Sequence, residues 1–189
     1  MKKNSNFKDY SKLKKCILEG EFMELLDVYD DQGQKTGKII ERGVLNGSLN
    51  DREHIAVAII FIENSNHEFL IQKTSEQKGG LYSSTGGHVG HNEKPIDTIK
   101  REVLEELGID ISHDSIMDLG YLIFDFPIRF VFYLQKDVNL NDIILQQEEV
   151  DSVSYMSYDE LHHIIEKGLM NKSHAKIFEY VLDNISDRK

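Results

Sequence analysis

The segment that most constrains the fold is an apolar run of eight residues in the first third of the chain. Residues 55–62 read Ile-Ala-Val-Ala-Ile-Ile-Phe-Ile, rich in β-branched side chains and apolar at both odd and even positions. Because the side chains of a strand alternate between two faces, a strand of this composition is buried on both of them. We therefore expect a central strand over residues 54–62, with further layers packed against each face.

Segments typical of helices and strands alternate along the rest of the chain. The predicted helices cover residues 95–107, 158–168 and 173–184, and the predicted strands cover residues 69–71, 120–126, 129–135 and 150–156. Residues 24–42 indicate a hairpin around the turn residues Asp30 to Gly33, and the glycine-rich residues 79–93 are predicted to be a loop. This alternation predicts a mixed α/β layered fold, with one domain over residues 23–189 behind a polar leader, residues 1–22.

Charge and composition exclude several classes of partner. The net charge is −11, from 22 basic and 33 acidic residues, and a field of that sign repels the backbone of a nucleic-acid polymer. No stretch is apolar enough to span a membrane or to serve as a signal peptide. The single cysteine, Cys16, cannot form an internal disulfide, so a cytoplasmic location is expected. A small phosphorylated substrate remains the expected partner, and a homodimer is left open.

Three glutamates on the predicted helix 95–107 carry the chemical signal. Glu102, Glu105 and Glu106 are three and four residues apart, so their carboxylates share one face of the helix. Such neighbours repel one another unless a cation lies among them, and clustered oxygen ligands suit Mg²⁺ or Mn²⁺. Arg101 can pair with Glu105 or with Glu93 and so orient the cluster. The alternative is a solvated acidic helix face without a ligand.

The spacing around these glutamates also resembles a known family signature. The chain matches Gly-x5-Glu-x7-Arg-Glu-U-x-Glu-Glu-x-Gly-U, where U is apolar, the signature of the Nudix box. The matching positions are Gly87, Glu93, Arg101, Glu102, Val103, Glu105, Glu106, Gly108 and Ile109. Residues 24–42, 69–75, 84–89 and 148–157 look similar to the branch of the family that includes isopentenyl diphosphate isomerase.

This resemblance implies an α/β/α sandwich with a mixed sheet and a loop–helix–loop catalytic motif. It implies hydrolysis of a diphosphate linkage in a nucleoside diphosphate derivative or a related small diphosphate, with Mg²⁺ as cofactor and Mn²⁺ as a substitute. The implied metal ligands are the carboxylates of Glu102, Glu105 and Glu106 and the backbone carbonyl of Gly87. The implied catalytic residues are Glu105 as an alternative general base, Arg101 as the orienting cation, and Glu149 as an auxiliary acid. A surface glutamate is the alternative interpretation of Glu149.

Four further residues are candidate substrate contacts: Tyr82, Lys73, His88 and Arg129. Tyr82 stands where relatives often have Trp, and His88 matches a histidine of the isomerases. Lys73 and Arg129 are expected either to face a substrate phosphate or to be surface charges. His54 and His91 are expected to have structural or solvent-exposed roles.

Two other functions are weighed against hydrolysis. An isomerase of the related branch would carry its cysteine at the position of Gly86, where this chain has none. A ligand-sensing domain without catalysis usually has a damaged box, whereas this box is intact. Both features favour the hydrolase.

Overall fold

The computed structural model describes residues 24–43, 49–124 and 126–186. The predicted leader, residues 1–22, and Cys16 lie outside these ranges. The strands are β1 (Leu25–Tyr29), β2 (Lys35–Glu41), β3 (His54–Glu63), β4 (Phe69–Thr74), β5 (Tyr82–Ser83), β6 (Thr85–His88), β7 (Met117–Ile123), β8 (Ile128–Gln135) and β9 (Val150–Met156). The helices are α1 (Pro95–Leu107), α2 (Tyr158–Glu166) and α3 (Lys172–Ser186), with short 3₁₀ turns at Glu76–Lys78 and Leu140–Asp142.

The sheet is organised around β3. Strand β8 runs parallel to it over its whole length, from Ala56↔Ile128 to Glu63↔Gln135. Along the opposite edge, β1, β6 and β4 pair with β3 in turn, all antiparallel. Strand β4 also pairs with β5 and β9, and β7 lies beyond β8. The mixed sheet expected from the sequence is therefore confirmed.

Both faces of β3 are covered, as its composition predicts. One face packs on α1 and contains the buried side chains of Ala56, Ala58, Ile60, Ile99, Val103 and Leu107. The other face packs on α2 and α3 and contains those of Ile59, Phe61, Phe69, Leu161, Phe178 and Val181. These two layers of helices make the expected α/β/α sandwich. No helix in the described part of the chain is long and apolar enough to cross a membrane.

Helix α1 has the predicted bounds, since its boundary signals are local. Pro95 occupies the first turn, where its missing N–H costs nothing. Gly108 ends the helix in the left-handed conformation, with φ of 70°, and its N–H donates to the Leu104 carbonyl at 3.0 Å. The apolar stripe of α1 lies on the sheet, so its acidic residues project toward the adjoining strand and loop.

The loop prediction for residues 79–93 is wrong in part, because these residues contain β5 and β6. The four residues of β6 pair with β3 from Ile60↔Thr85 to Val57↔His88. Its sequence, Thr-Gly-Gly-His, has no alternating pattern that would predict a strand. The partner strand β3 supplies the order. The strand predicted at residues 120–126 is instead Met117–Ile123, with a register shift around Gly120.

Candidate active site

The site lies where α1 faces strand β6, and it begins with a close contact at Gly87. A Cβ atom built on Gly87 would lie 2.0 Å from Oε1 of Glu102, far inside any tolerated contact. Only glycine therefore lets the β6 backbone approach the Glu102 carboxylate this closely. The sequence placed both residues in one motif, and the structure brings them together.

Glu106 is the buried acid of the site, with 8% of its surface exposed. Its Oε2 accepts a hydrogen bond from Nε2 of Gln72 at 2.9 Å, and Oε1 of Gln72 accepts one from the Thr85 hydroxyl at 3.1 Å. Our sequence reasoning did not identify Gln72 as part of the site. The available signal was an amide within the otherwise apolar start of β4.

The two acids on this face of α1 are held in an environment that disfavours their charge. Burial raises the pKa of Glu106 to about 7, and the negative charges of Glu102 and Glu149 add to this effect against the Gln72 hydrogen bond. Burial also raises the pKa of Glu102 above its ordinary range, although Arg101 opposes it. The site thus has more buried negative charge than its own donors compensate.

Arg101 links the loop before α1 to the acids on the helix. Its Nε and Nη2 donate to the two carboxylate oxygens of Glu93 at 2.9 and 3.1 Å, a bidentate pair. Its Nη1 donates to Glu102 at 2.8 Å and to Glu105 at 3.0 Å. Both pairings that the sequence offered, with Glu93 and with Glu105, are therefore present. The bonds to Glu93 raise the pKa of Arg101, so its charge is permanent.

The remaining two acids differ in exposure from the buried pair. The Glu105 side chain is 52% exposed, at the solvent edge of the site, with Arg101 as its partner. Glu149 precedes β9 and forms an ion pair with Lys78 at 2.8 Å. Its charge contributes to the raised pKa of Glu106, so it lies within electrostatic range of the site. Sequence proximity could not establish this, because Glu149 is 43 residues from Glu106.

The donor set agrees in chemistry with a hard divalent cation. Carboxylate oxygens of Glu102 and Glu106 and the backbone at Gly87 are oxygen donors, and the buried negative charge is what a cation would compensate. Within residues 24–43, 49–124 and 126–186, no group of three or more His, Cys, Asp or Glu side chains is already gathered around one point that could hold a metal ion. Glu102 and Glu105 are instead turned toward Arg101.

The four candidate substrate contacts lie on the sheet face opposite α1. Val57 pairs with both His88 and Arg129, so these two side chains share the face that packs on α2 and α3. Lys73 and Tyr82 pair across β4 and β5 on the same face, since the neighbouring Gln72 points toward α1. The structure therefore does not bring them beside the Glu102 carboxylate.

Arg129 is not the surface charge that one interpretation of the sequence expected. It is buried, its guanidinium lies 4.1 Å from the centre of the Phe124 ring, and Nη2 donates to the Ser173 hydroxyl at 3.1 Å. Burial lowers the pKa of His88 below its ordinary range, with a further contribution from the charge of Arg42.

The two histidines expected to be structural have polar partners in the fold. His54 is buried, and its two ring nitrogens each lie 2.9 Å from an oxygen, of Asp31 and of the Phe126 carbonyl. His91 Nδ1 donates to Asp27 at 2.7 Å.

Comparisons with known proteins agree with this geometry. The model of the NUDIX domain matches residues 52–181. An uncharacterised Nudix hydrolase of Listeria monocytogenes is 30% identical over 150 residues, which are 77% of this chain and 87% of that protein. An 8-oxo-dGTP diphosphatase of Proteus vulgaris is 33% identical over 79 residues, 41% of this chain and 68% of that protein.

The fold is also found among solved structures. The crystal structure of DR0079 from Deinococcus radiodurans superposes with a TM-score of 0.69 at 21% identity, covering 83% of this chain and 98% of that one. The family model covers more than half of the chain, and the Listeria relative is similar over most of its own length. The chain therefore belongs to the Nudix family, whose members named here are hydrolases.

Proposed function

We propose that the protein is a Mg²⁺-dependent hydrolase of the diphosphate linkage in a nucleoside diphosphate derivative or a related small diphosphate. The observation that carries this proposal is the buried, undercompensated pair Glu102 and Glu106 against the Gly87 backbone. A carboxyl group held at a pKa of about 7 binds a cation in place of a proton near neutral pH. Membership of a family of hydrolases supports the same conclusion.

The residues divide the work of phosphoryl hydrolysis among them. Glu102 and Glu106, with the Gly87 carbonyl, would hold the cation. When bound, a divalent ion neutralises charge on the diphosphate and makes water a better nucleophile. Glu105, exposed at the edge of the site, is placed to accept a proton from an attacking water, and Glu149 is the alternative acceptor. Arg101 holds Glu102 and Glu105 in position.

The substrate class follows from the balance of charge. The protein has a net charge of −11, so an anionic substrate needs a local cation to approach the acids of α1. A relative named as an 8-oxo-dGTP diphosphatase supports a nucleotide-derived substrate. We extend to this chain only the diphosphate linkage, common to the substrates under consideration.

The test is phosphate or monophosphate release from a panel of nucleoside diphosphate derivatives and small diphosphates. Exhaustive chelation should abolish turnover, and Mg²⁺ or Mn²⁺ should restore it. Ca²⁺ should support the reaction poorly, since it is larger and less demanding in its coordination geometry. Full turnover in chelator would refute the proposed site.

Isomerisation of isopentenyl diphosphate is the alternative drawn from the resemblance of the flanking segments. A Cβ on Gly86 would lie 2.5 Å from the Ala58 carbonyl oxygen, so the backbone leaves no room for a cysteine there. The relatives reported above are hydrolases by name and do not support that branch. Incubation with isopentenyl diphosphate should yield no dimethylallyl isomer, whereas its appearance at enzymatic rates would overturn the hydrolase.

Several broader expectations remain predictions from the sequence. They are the cytoplasmic location, the homodimer, the polar leader at residues 1–22 and the single domain over residues 23–189. A ligand-sensing domain would bind a diphosphate from the panel without releasing phosphate or monophosphate, so the same assay separates it from the hydrolase.

A further inference from the structure

The hairpin β1–β2 lies before the segment that matches the family model, yet it contacts the loop that leads into α1. The match begins at residue 52, whereas the hairpin covers residues 25–41. The loop, residues 90–93, contains Glu93, the bidentate partner of Arg101. Leu26 forms an isolated antiparallel bridge with Gly90, which sets the hairpin directly against this loop.

Asp27 is the centre of this contact. It is buried, with 6% of its surface exposed, and it accepts three hydrogen bonds. Lys35 Nζ donates at 2.7 Å, His91 Nδ1 at 2.7 Å and the Asn92 backbone N–H at 3.0 Å. Burial alone would raise the pKa of Asp27, but these donors outweigh it and hold the pKa below its ordinary range. The buried carboxylate is therefore fully compensated by groups of two separate segments.

The backbone of loop 90–93 depends on the hairpin for half of its amide hydrogen bonds. The His91 N–H donates to the Leu25 carbonyl at 2.8 Å, and the Asn92 N–H donates to Asp27. The other two amides, of Gly90 and Glu93, bond within the loop. Asn92 has a φ of 65°, an uncommon conformation for a residue other than glycine. External bonds on both sides of Asn92 hold it there.

The loop in turn determines where Arg101 lies. Lys35, held by Asp27, also donates to the Glu93 carbonyl at 3.0 Å, so the hairpin grips both ends of the loop. The Glu93 carboxylate binds Arg101, and Arg101 binds Glu102 and Glu105. A displacement of about 1 Å at a reacting group can cost about a hundredfold in rate. A change at Asp27 is therefore transmitted to the acids through two ion pairs.

We propose that Asp27 is a positioning residue of the active site and that the hairpin β1–β2 completes this site by fixing loop 90–93. The proposal rests on the proposed function, because the acids that it positions are those assigned there. The competing interpretation is that Asp27 only stabilises the hairpin. The two differ in whether the consequences of losing Asp27 are concentrated in the loop and in turnover.

The test compares Asp27→Asn with Glu53→Gln. Glu53 forms an ion pair with Lys38 of the same hairpin at 2.6 Å, away from loop 90–93, so it is the matched control. On the diphosphate that the parent hydrolyses best, Asp27→Asn should lower kcat about 10- to 100-fold with KM within about threefold. Glu53→Gln should leave kcat within about twofold.

Amide hydrogen exchange in chelator gives a readout that needs no activity. In Asp27→Asn the amides of residues 90–93 should exchange at least about tenfold faster, while those of α3 keep the parent rate. A kcat within twofold of the parent, or unchanged exchange in the loop, would overturn the proposal. Equal acceleration in the loop and α3 would also overturn it, since that is general destabilisation.

Lys35→Met provides a second route if Asp27→Asn does not fold. It removes the donor to both Asp27 and the Glu93 carbonyl, so it should lower kcat and speed exchange in the same loop. Where both single variants fold, the double variant should lose less kcat than the product of the two single losses. A fully multiplicative loss would count against one shared network. Absence of metal-dependent hydrolysis in the parent would refute the proposed function instead, and the exchange experiment would still test the hairpin.

Discussion

The carboxylates of α1 and those of the hairpin and loop beside it are buried to similar extents but are supplied very differently with donors. Asp27 and Glu93 each accept several hydrogen bonds, which hold both pKa values below their ordinary range against the effect of burial. Glu106 accepts one bond from Gln72, and its pKa is raised to about 7. A buried acid that the protein satisfies is structural, whereas one left short of donors is poised for an external cation.

The largest test of this difference is Glu106→Gln in the active enzyme. The amide keeps the shape and one oxygen but loses the charge proposed to hold the cation. Turnover with Mg²⁺ should fall at least about a thousandfold, equivalent to about 4 kcal/mol of transition-state stabilisation. Steady-state kinetics on the best diphosphate measures this. A loss below about tenfold would show that Glu106 is not a cation ligand.

The same substitution should stabilise the protein in chelator, and the effect should depend on pH. In the parent, the folded state keeps a proton on Glu106 up to about pH 7 that the unfolded chain loses near pH 4.5, so stability falls as pH rises across this interval. Glu106→Gln avoids this fall. Its advantage should be near zero at pH 4 and up to ~3 kcal/mol at pH 8.

Denaturant unfolding at the two pH values measures the difference. Saturating Mg²⁺ should reverse the order at pH 8, because only the parent gains stability from binding. A variant less stable than the parent in chelator would mean that Glu106 is a structural acid like Asp27.

Glu93→Gln is the matched change in the satisfied group, and it should have the opposite sign. Glu93 receives both Arg101 bonds and the Gly90 N–H, so its charge is already compensated. Loss of that charge should destabilise the chelated protein by about 1–2 kcal/mol. Unfolding at pH 8 beside Glu106→Gln shows the contrast directly, and two shifts of the same sign would break the comparison.

The smallest expected effect concerns Tyr29, which packs beside both groups. Its hydroxyl is the buried side-chain polar atom without a hydrogen-bond partner in the described part of the chain. Burial raises its pKa to about 12, and the charges of Asp27 and Glu93 contribute. Tyr29→Phe removes an unsatisfied group and should stabilise the protein by about 1 kcal/mol. Thermal unfolding tests this, and a clear loss of stability would reveal a partner for the hydroxyl.

Local signals predicted the elements that carry the box. The bounds of α1, its Pro95 and Gly108 ends and the shared face of its glutamates all follow from residues within one turn of each other. The central strand was predictable for a related reason, since its composition is incompatible with exposure on either face. The hairpin β1–β2 follows from its turn, in which Asp30 Oδ1 accepts the N–H groups of Gln32 and Gln34.

The sequence by itself determined the layered fold class and the set of acids on α1, because periodicity, helix ends and fixed spacing are properties of neighbouring residues. Only the tertiary structure decided which acids lack donors. The Gln72–Glu106 bond and the contact of Asp27 with loop 90–93 join residues 34 and 65 positions apart. It also made β6 a strand and placed Arg129 on the face opposite α1. Burial and hydrogen bonding across such separations arise when the chain packs, and no local pattern encodes them.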